Sequence, residues 1–110
     1  MIDKSEVTNL IIGGDWNCTL SKKDKKGGLP WKATNFRNSI LITMDMLDLV
    51  DVQRDRHPNI NKFSYSSEAM KVKSRIDFFL VSKELKKYVS KVDIQTSIAP
   101  DHKLIYLSIA

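Results

Sequence analysis

Ser74-Arg75-Ile76-Asp77-Phe78-Phe79-Leu80-Val81-Ser82 sets a single carboxylate inside an apolar run. In an extended chain Ile76, Phe78 and Leu80 fall on one face, and Asp77, Phe79 and Val81 on the other. Both faces are apolar apart from Asp77, so residues 74–82 are expected to form a strand covered on both sides. A carboxylate near the start of such a strand is costly unless it is paired or hydrogen-bonded. Arg75 points to the opposite face, so the partner of Asp77 must come from elsewhere; the alternative is an Asp that caps the strand entrance toward solvent.

Two other segments end in comparable chemistry. Leu10-Ile11-Ile12-Gly13-Gly14-Asp15-Trp16-Asn17 is an apolar run that stops at two glycines, which let the backbone bend or a ligand approach. If the chain stays extended, Asp15 and Asn17 point the same way and reach one bound group; otherwise the strand runs into an Asp/Asn turn. Ile98-Ala99-Pro100-Asp101-His102 stands directly before the apolar stretch Leu104–Ile109, with the proline fixing the turn and Asp-His at its rim. An imidazole beside carboxylates can be protonated near neutral pH and can contact a phosphate.

Gly-Asp-Trp-Asn at 14–17, Ser-Arg-Ile-Asp-Phe-Phe-Leu-Val-Ser at 74–82 and Pro-Asp-His at 100–102 resemble, in order and spacing, the last three signature blocks of the endonuclease/exonuclease/phosphatase superfamily. The nearest flavour is the endonuclease domain of non-LTR retrotransposons, which is similar to abasic-site endonucleases and pancreatic-type deoxyribonuclease. Leu47–Ser67 resembles the retrotransposon version too, with Gln53 where an aromatic often stands. The resemblance implies an α/β fold: the C-terminal half of a four-layer sandwich, with one mixed or mainly antiparallel sheet and flanking helices. Residues 1–110 then form a partial domain lacking the N-terminal half, whose Asn and metal-binding Glu have no counterpart upstream of Leu10. Pro100 also departs from the family, which more often has Ser there.

The activity implied is hydrolysis of a phosphodiester in DNA with a divalent cation, magnesium or manganese, weakly bound in this fragment. Asp15 would activate water, and Asn17 would orient it or hold the phosphate. Asp77 would accept a hydrogen bond from His102, fixing the tautomer of an imidazole that contacts the scissile phosphate. Asp101 would lie near the metal. The partners implied are DNA and either the missing half or a second chain over the inner sheet face.

Composition agrees with part or all of one globular domain, at 42% hydrophobic and 28% charged residues. One cysteine, Cys18, excludes an internal disulfide, and two histidines exclude a zinc-type cluster. With no apolar run of membrane length and no signal-peptide core in Met1–Thr8, a nuclear or cytoplasmic location is expected. The net charge of +5 favours a polyanionic partner. Lys22, Lys23, Lys25 and Lys26 sit in a loop after Asp15 and Asn17, where they can follow a phosphate backbone, and Arg75 adds to the same surface.

Phe36, Ile40, Leu41, Met44 and Leu47 have helical spacing behind Thr34 as N-cap, so a helix over 34–46 should cover one sheet face. Further strands are expected near 8–14, 62–67, 91–97 and 103–109, with a short helix at 83–88. Trp31, Met44, Met46 and Phe63 read as core, and His57 as a loop residue. Two readings of function remain: a piece of an endonuclease domain, or a catalytically dead retroelement remnant that binds nucleic acid weakly.

Overall fold

The computed structural model describes residues 9–95 and 101–110. The turn at Pro100, the first expected strand residue and the end of the strand expected over 91–97 lie outside the described residues. Among the described residues eight strands and two α-helices follow in the order β1 (Ile11–Asp15), β2 (Lys25–Lys26), α1 (Asn35–Met46), β3 (Leu49–Asp51), α2 (Val52–Arg56), β4 (Tyr65–Ser67), β5 (Val72–Ser74), β6 (Asp77–Ser82), β7 (Val89–Gln95) and β8 (Leu104–Ile109). Pairing is antiparallel throughout. It is divided among three small sheets, ordered β1-β6-β3, β2-β5-β4 and β7-β8. Arg75 and Ile76 separate β5 from β6, so the run expected as one strand over 74–82 serves two sheets. The helix expected at 83–88 shrinks to a 3-10 turn, Lys86–Tyr88.

β6 is the central strand, and the alternation in its sequence decides the packing. Phe78 and Leu80 bury against Ile40 of α1 and Leu49, with Ile12, Trp16 and Met44 alongside. Val81 faces the other way, joining Val52, Val89 and Val92 under the β7–β8 pair, with Phe79 and Leu107 at the margin. Each such side chain contributes about 1.5–3 kcal/mol through burial. Gly13 belongs to this packing, because a Cβ there would lie 2.4 Å from the ring of its cross-strand partner Phe79.

Thr34 caps α1, its hydroxyl oxygen accepting the Arg37 amide at 3.2 Å. Of the apolar positions expected to face the sheet, Ile40 is buried and Met44 and Leu47 are half-buried. Leu41 sits about 100° around the helix from Ile40 and is exposed, as are Phe36 in the first turn and Met46 in the last. No helix among the described residues is long and apolar enough to cross a membrane.

A buried ionic network ties the lysine segment to this framework. Asp24, 1% exposed, accepts from the Arg75 guanidinium, and Arg54 reaches the same carboxylate. Arg75 also binds both oxygens of Asp51, which caps α2 by accepting from the Arg54 amide. Burial works against the Asp24 charge, but the hydrogen bonds and charges of Arg75 and Arg54 outweigh it and hold the carboxyl below its ordinary pKa. Burial likewise works against Arg75, and Asp51 and Asp24 outweigh it and raise its pKa.

Candidate active site

Asp15 ends β1 and Asp77 begins β6, and the antiparallel register makes them partners across the two strands. The chain beyond Asp15 turns sharply: Asn17 has φ 52°, and its amide donates to Asp15 Oδ1 at 2.8 Å. The alternative of an Asp/Asn turn is therefore the geometry found, and Asn17 does not continue the extended face of Asp15. Trp16 fastens this turn. Its amide donates to Ile76 O at 2.8 Å, its indole to Phe78 O at 2.9 Å, and its ring stacks on Phe78.

His102 arrives from the other side of the chain. Backbone bonds from Lys103 to Ser64 O (2.7 Å) and from Ser66 to Asp101 O (3.0 Å) dock it against Tyr65, whose ring lies 5.1 Å from the imidazole. Ser64 is fully buried, and its hydroxyl oxygen accepts the amides of Ile76 and Asp77, each at 3.0 Å. It fixes the entrance of β6 and the backbone beside His102 together. Sequence reasoning missed this residue, and its only signal was a small polar side chain among aromatics.

The imidazole stands between the two carboxylates. Nδ1 lies 3.0 Å from Asp77 Oδ2, and Nε2 lies 4.0 Å from Asp15 Oδ2. This contact supplies the partner that Asp77 needs. The hydrogen bond to Asp77 raises the His102 pKa above its ordinary value; desolvation opposes this, and the charges of Asp77, Asp15 and Asp101 reinforce it. His102 is thus suited to donate a proton or hydrogen bond from Nε2 into the open space beside Asp15.

That space is a groove of about 640 Å³, lined among others by Asp15, Asn17, Lys25, Trp31, Tyr65 and His102. Trp31 is held there by its indole bond to Thr19 Oγ1 and by the Arg37 guanidinium 4.2 Å above its ring. Asp101 is exposed, and its carboxylate is outside the cluster formed by Asp15, Asp77 and His102, whose ligand-type atoms lie within 4.8 Å of one another. As a metal site that cluster is incomplete. Nδ1 and one Asp77 oxygen are committed to each other, and magnesium prefers a shell of oxygens and waters. Of the carboxylates in this cluster, Asp15 is the exposed one.

The basic residues divide. Lys25 enters the groove wall and donates to Leu29 O at 2.7 Å. Lys22 is exposed and Lys23 reaches Pro58 O, both in a 3-10 turn rather than a loose loop, because the Asp24 between them and β2 is buried. Lys26 points away from the groove on the other face of its strand. Arg75 must be withdrawn from the expected nucleic-acid contacts. It is 2% exposed and its guanidinium is spent on Asp24 and Asp51.

No protein-family model matches the chain. Solved structures do. A 3'-5' exonuclease (NExo) from Neisseria meningitidis superposes with a TM-score of 0.76 at 23% identity, over 93% of this chain and 45% of that one. The structure of the 3' phosphatase NExo from Neisseria bound to a product DNA hairpin gives 0.78 at 21% identity, over 96% and 47%. An AP endonuclease from Leishmania major gives 0.69 at 23% identity, over 84% and 32%. The chain therefore has the fold of the endonuclease/exonuclease/phosphatase superfamily and spans less than half the length of these solved relatives. Its sequence is similar to a transposon protein, the Transposon TX1 uncharacterized 149 kDa protein of Xenopus laevis, at 31% identity over 108 residues, which are 96% of this chain and 8% of that protein.

Proposed function

We propose that the chain is the histidine-bearing part of a nuclease domain of transposon type, which hydrolyses a phosphodiester of DNA when the rest of the domain is present. The observation that carries this reading is the placement of His102 between Asp77 and Asp15 at the end of an open groove. In the reaction Asp15 takes a proton from the attacking water, and the new oxygen–phosphorus bond forms as the bond to the leaving sugar oxygen breaks. The departing oxygen takes up a proton from solvent, so the products are a phosphomonoester and a free hydroxyl. His102, oriented by Asp77, donates a hydrogen bond to a phosphoryl oxygen as charge gathers there. Asn17, turned out into the groove, contacts the phosphate or the water. A magnesium or manganese ion, when bound, relieves charge on the phosphoryl oxygens, and Asp101 with Asp15 are the side chains offered to it. A nuclear or cytoplasmic site of action accompanies this reading.

The test is an NMR titration of the chain with a DNA hairpin. The reading expects the ring protons of His102 to shift in step with the Trp31 indole. Shifts elsewhere on the chain that leave both unmoved would overturn it. The remnant reading, with weak binding and no catalysis, differs only in activity; the His102–Asp77 hydrogen bond beside the open groove at Asp15 favours the nuclease part.

A further inference from the structure

The β2-β5-β4 sheet has two faces of opposite character. On one face the cross-strand row Lys25, Ser74 and Tyr65 looks into the catalytic groove. On the other the row is Lys26, Lys73 and Ser66, with Lys26 and Lys73 as direct partners across β2 and β5. Like charges directly opposite each other destabilise an antiparallel pair. Both lysines are exposed, and among the described residues neither ammonium is in an ion pair with a carboxylate.

A third lysine is placed beside them at further cost. Lys71 has φ 52°, a left-handed conformation that glycine adopts more cheaply. The loop after β2 closes tightly on it, since a Cβ on Gly27, itself at φ 79°, would lie 2.2 Å from Lys71 O. The three lysines with Ser66, Ser67 and Glu68 border a depression of about 430 Å³. Three lysines and two serines against one glutamate make a donor-rich, net positive lining, with the Ser67 hydroxyl oxygen also accepting the Met70 amide at 3.2 Å.

We propose that Lys26, Lys71 and Lys73, with the hydroxyls of Ser66 and Ser67, form a second anion site that takes a backbone phosphate of the nucleic acid outside the segment held in the catalytic groove. This rests on the nucleic-acid reading above and adds a place of contact to it. A phosphate seated between Lys26 and Lys73 turns their repulsion into shared attraction, which explains why the sheet keeps the pair. Because the two rows lie on opposite faces, the chain grips its substrate around the β2 edge rather than along one plane.

The experiment compares the 110-residue chain, the K26Q/K73Q variant and a control variant, K83Q/K87Q, which removes the same charge from exposed positions outside the site. Binding of a short DNA duplex is measured across a salt series, and thermal midpoints are measured without DNA. Each lost phosphate contact lowers the slope of log affinity against log salt by about 0.9. K26Q/K73Q is expected to lower it by about 1 to 2, with a thermal midpoint unchanged or higher than that of the parent chain, while K83Q/K87Q leaves the slope in place. Equal slopes for the two variants, or a lower midpoint for K26Q/K73Q, would overturn the proposal. The catalytic reading fails separately: a duplex that binds through the lysine site yet leaves His102 and Trp31 unmoved refutes that reading and retains this one.

Discussion

Asp15 and Asp77 face each other at the open end of the β1–β6 pair, and the imidazole of His102 bridges them, 3.0 Å from Asp77 and 4.0 Å from Asp15. Two carboxylates brought together in this way favour a positive charge between them. Asp77→Asn replaces the charged acceptor, whose hydrogen bond contributes most to the raised His102 pKa, with a neutral amide, and should return that pKa toward the ordinary 6.5. Titrating the His102 ring protons by NMR checks this; an unchanged midpoint would mean that Asp77 does not govern the imidazole. The sign for stability follows from the same shift. The contribution of charged His102 is full below its ordinary pKa and is lost as pH rises through the raised folded value, so Asp77→Asn should flatten the stability profile on that side.

Arg75 is a structural cation. Arg75→Ala leaves Asp24, 1% exposed, and Asp51 without their shared partner. Breaking a buried pair by removing one member costs about 3–5 kcal/mol, a large share of the stability of a small domain. Urea unfolding should show a loss of this size. A variant that unfolds at the parent midpoint but binds DNA less tightly would restore Arg75 to the nucleic-acid surface.

The depressed pKa of Asp24 has the opposite pH signature to that of His102. Its stabilising effect is present above the ordinary carboxyl value of 3.8 and is lost as pH falls through the lower folded value. Thermal midpoints should therefore drop steeply at the acid end of a pH series. Asp24→Asn should be less stable at neutral pH and show a shallower acid drop, whereas parallel curves for the two proteins would contradict the assignment.

What the sequence revealed depended on how local the signal was. The two-faced alternation of β6 and the N-cap Thr34 follow from periodicity, and the cost of an unpaired buried charge calls for a partner to Asp77, whereas His102 as that partner was implied only by the family resemblance. The short strands β2, β3 and β5 carry no periodicity, because strands of two or three residues are set by pairing partners distant in sequence. Arg75 was misread for a related reason: a lone Arg in a basic chain looks solvated until the fold brings Asp24 and Asp51 to it. Ser64 has no signature of its own, since its value lies in the two amides that it receives. The Asn17 turn was legible as an alternative, and the positive φ decides for it.

Association is the next expectation. β1 is an edge strand, and Ile11 on it, Ile42 on α1, and Leu104 and Ile109 on β8 are exposed. Uncovered apolar surface and a bare strand edge favour pairing between copies or with a further chain segment. Sedimentation of the isolated chain should show self-association that deepens with concentration. A monodisperse monomer that unfolds cooperatively and binds no dye for exposed apolar surface would contradict this.

The roles of Asp15 and His102 are decided by nicking of supercoiled plasmid in magnesium or manganese, using the chain alone and an extended protein that joins it to the N-terminal half of such a nuclease domain. The 110-residue chain should not nick above its Asp15→Ala/His102→Ala control, because its exposed carboxylates alone hold a divalent cation weakly. The extended protein should nick, and His102→Ala within it should slow nicking on the order of 10²- to 10³-fold. Nicking by the extended protein at a rate indifferent to both Asp15→Ala and His102→Ala would contradict the account.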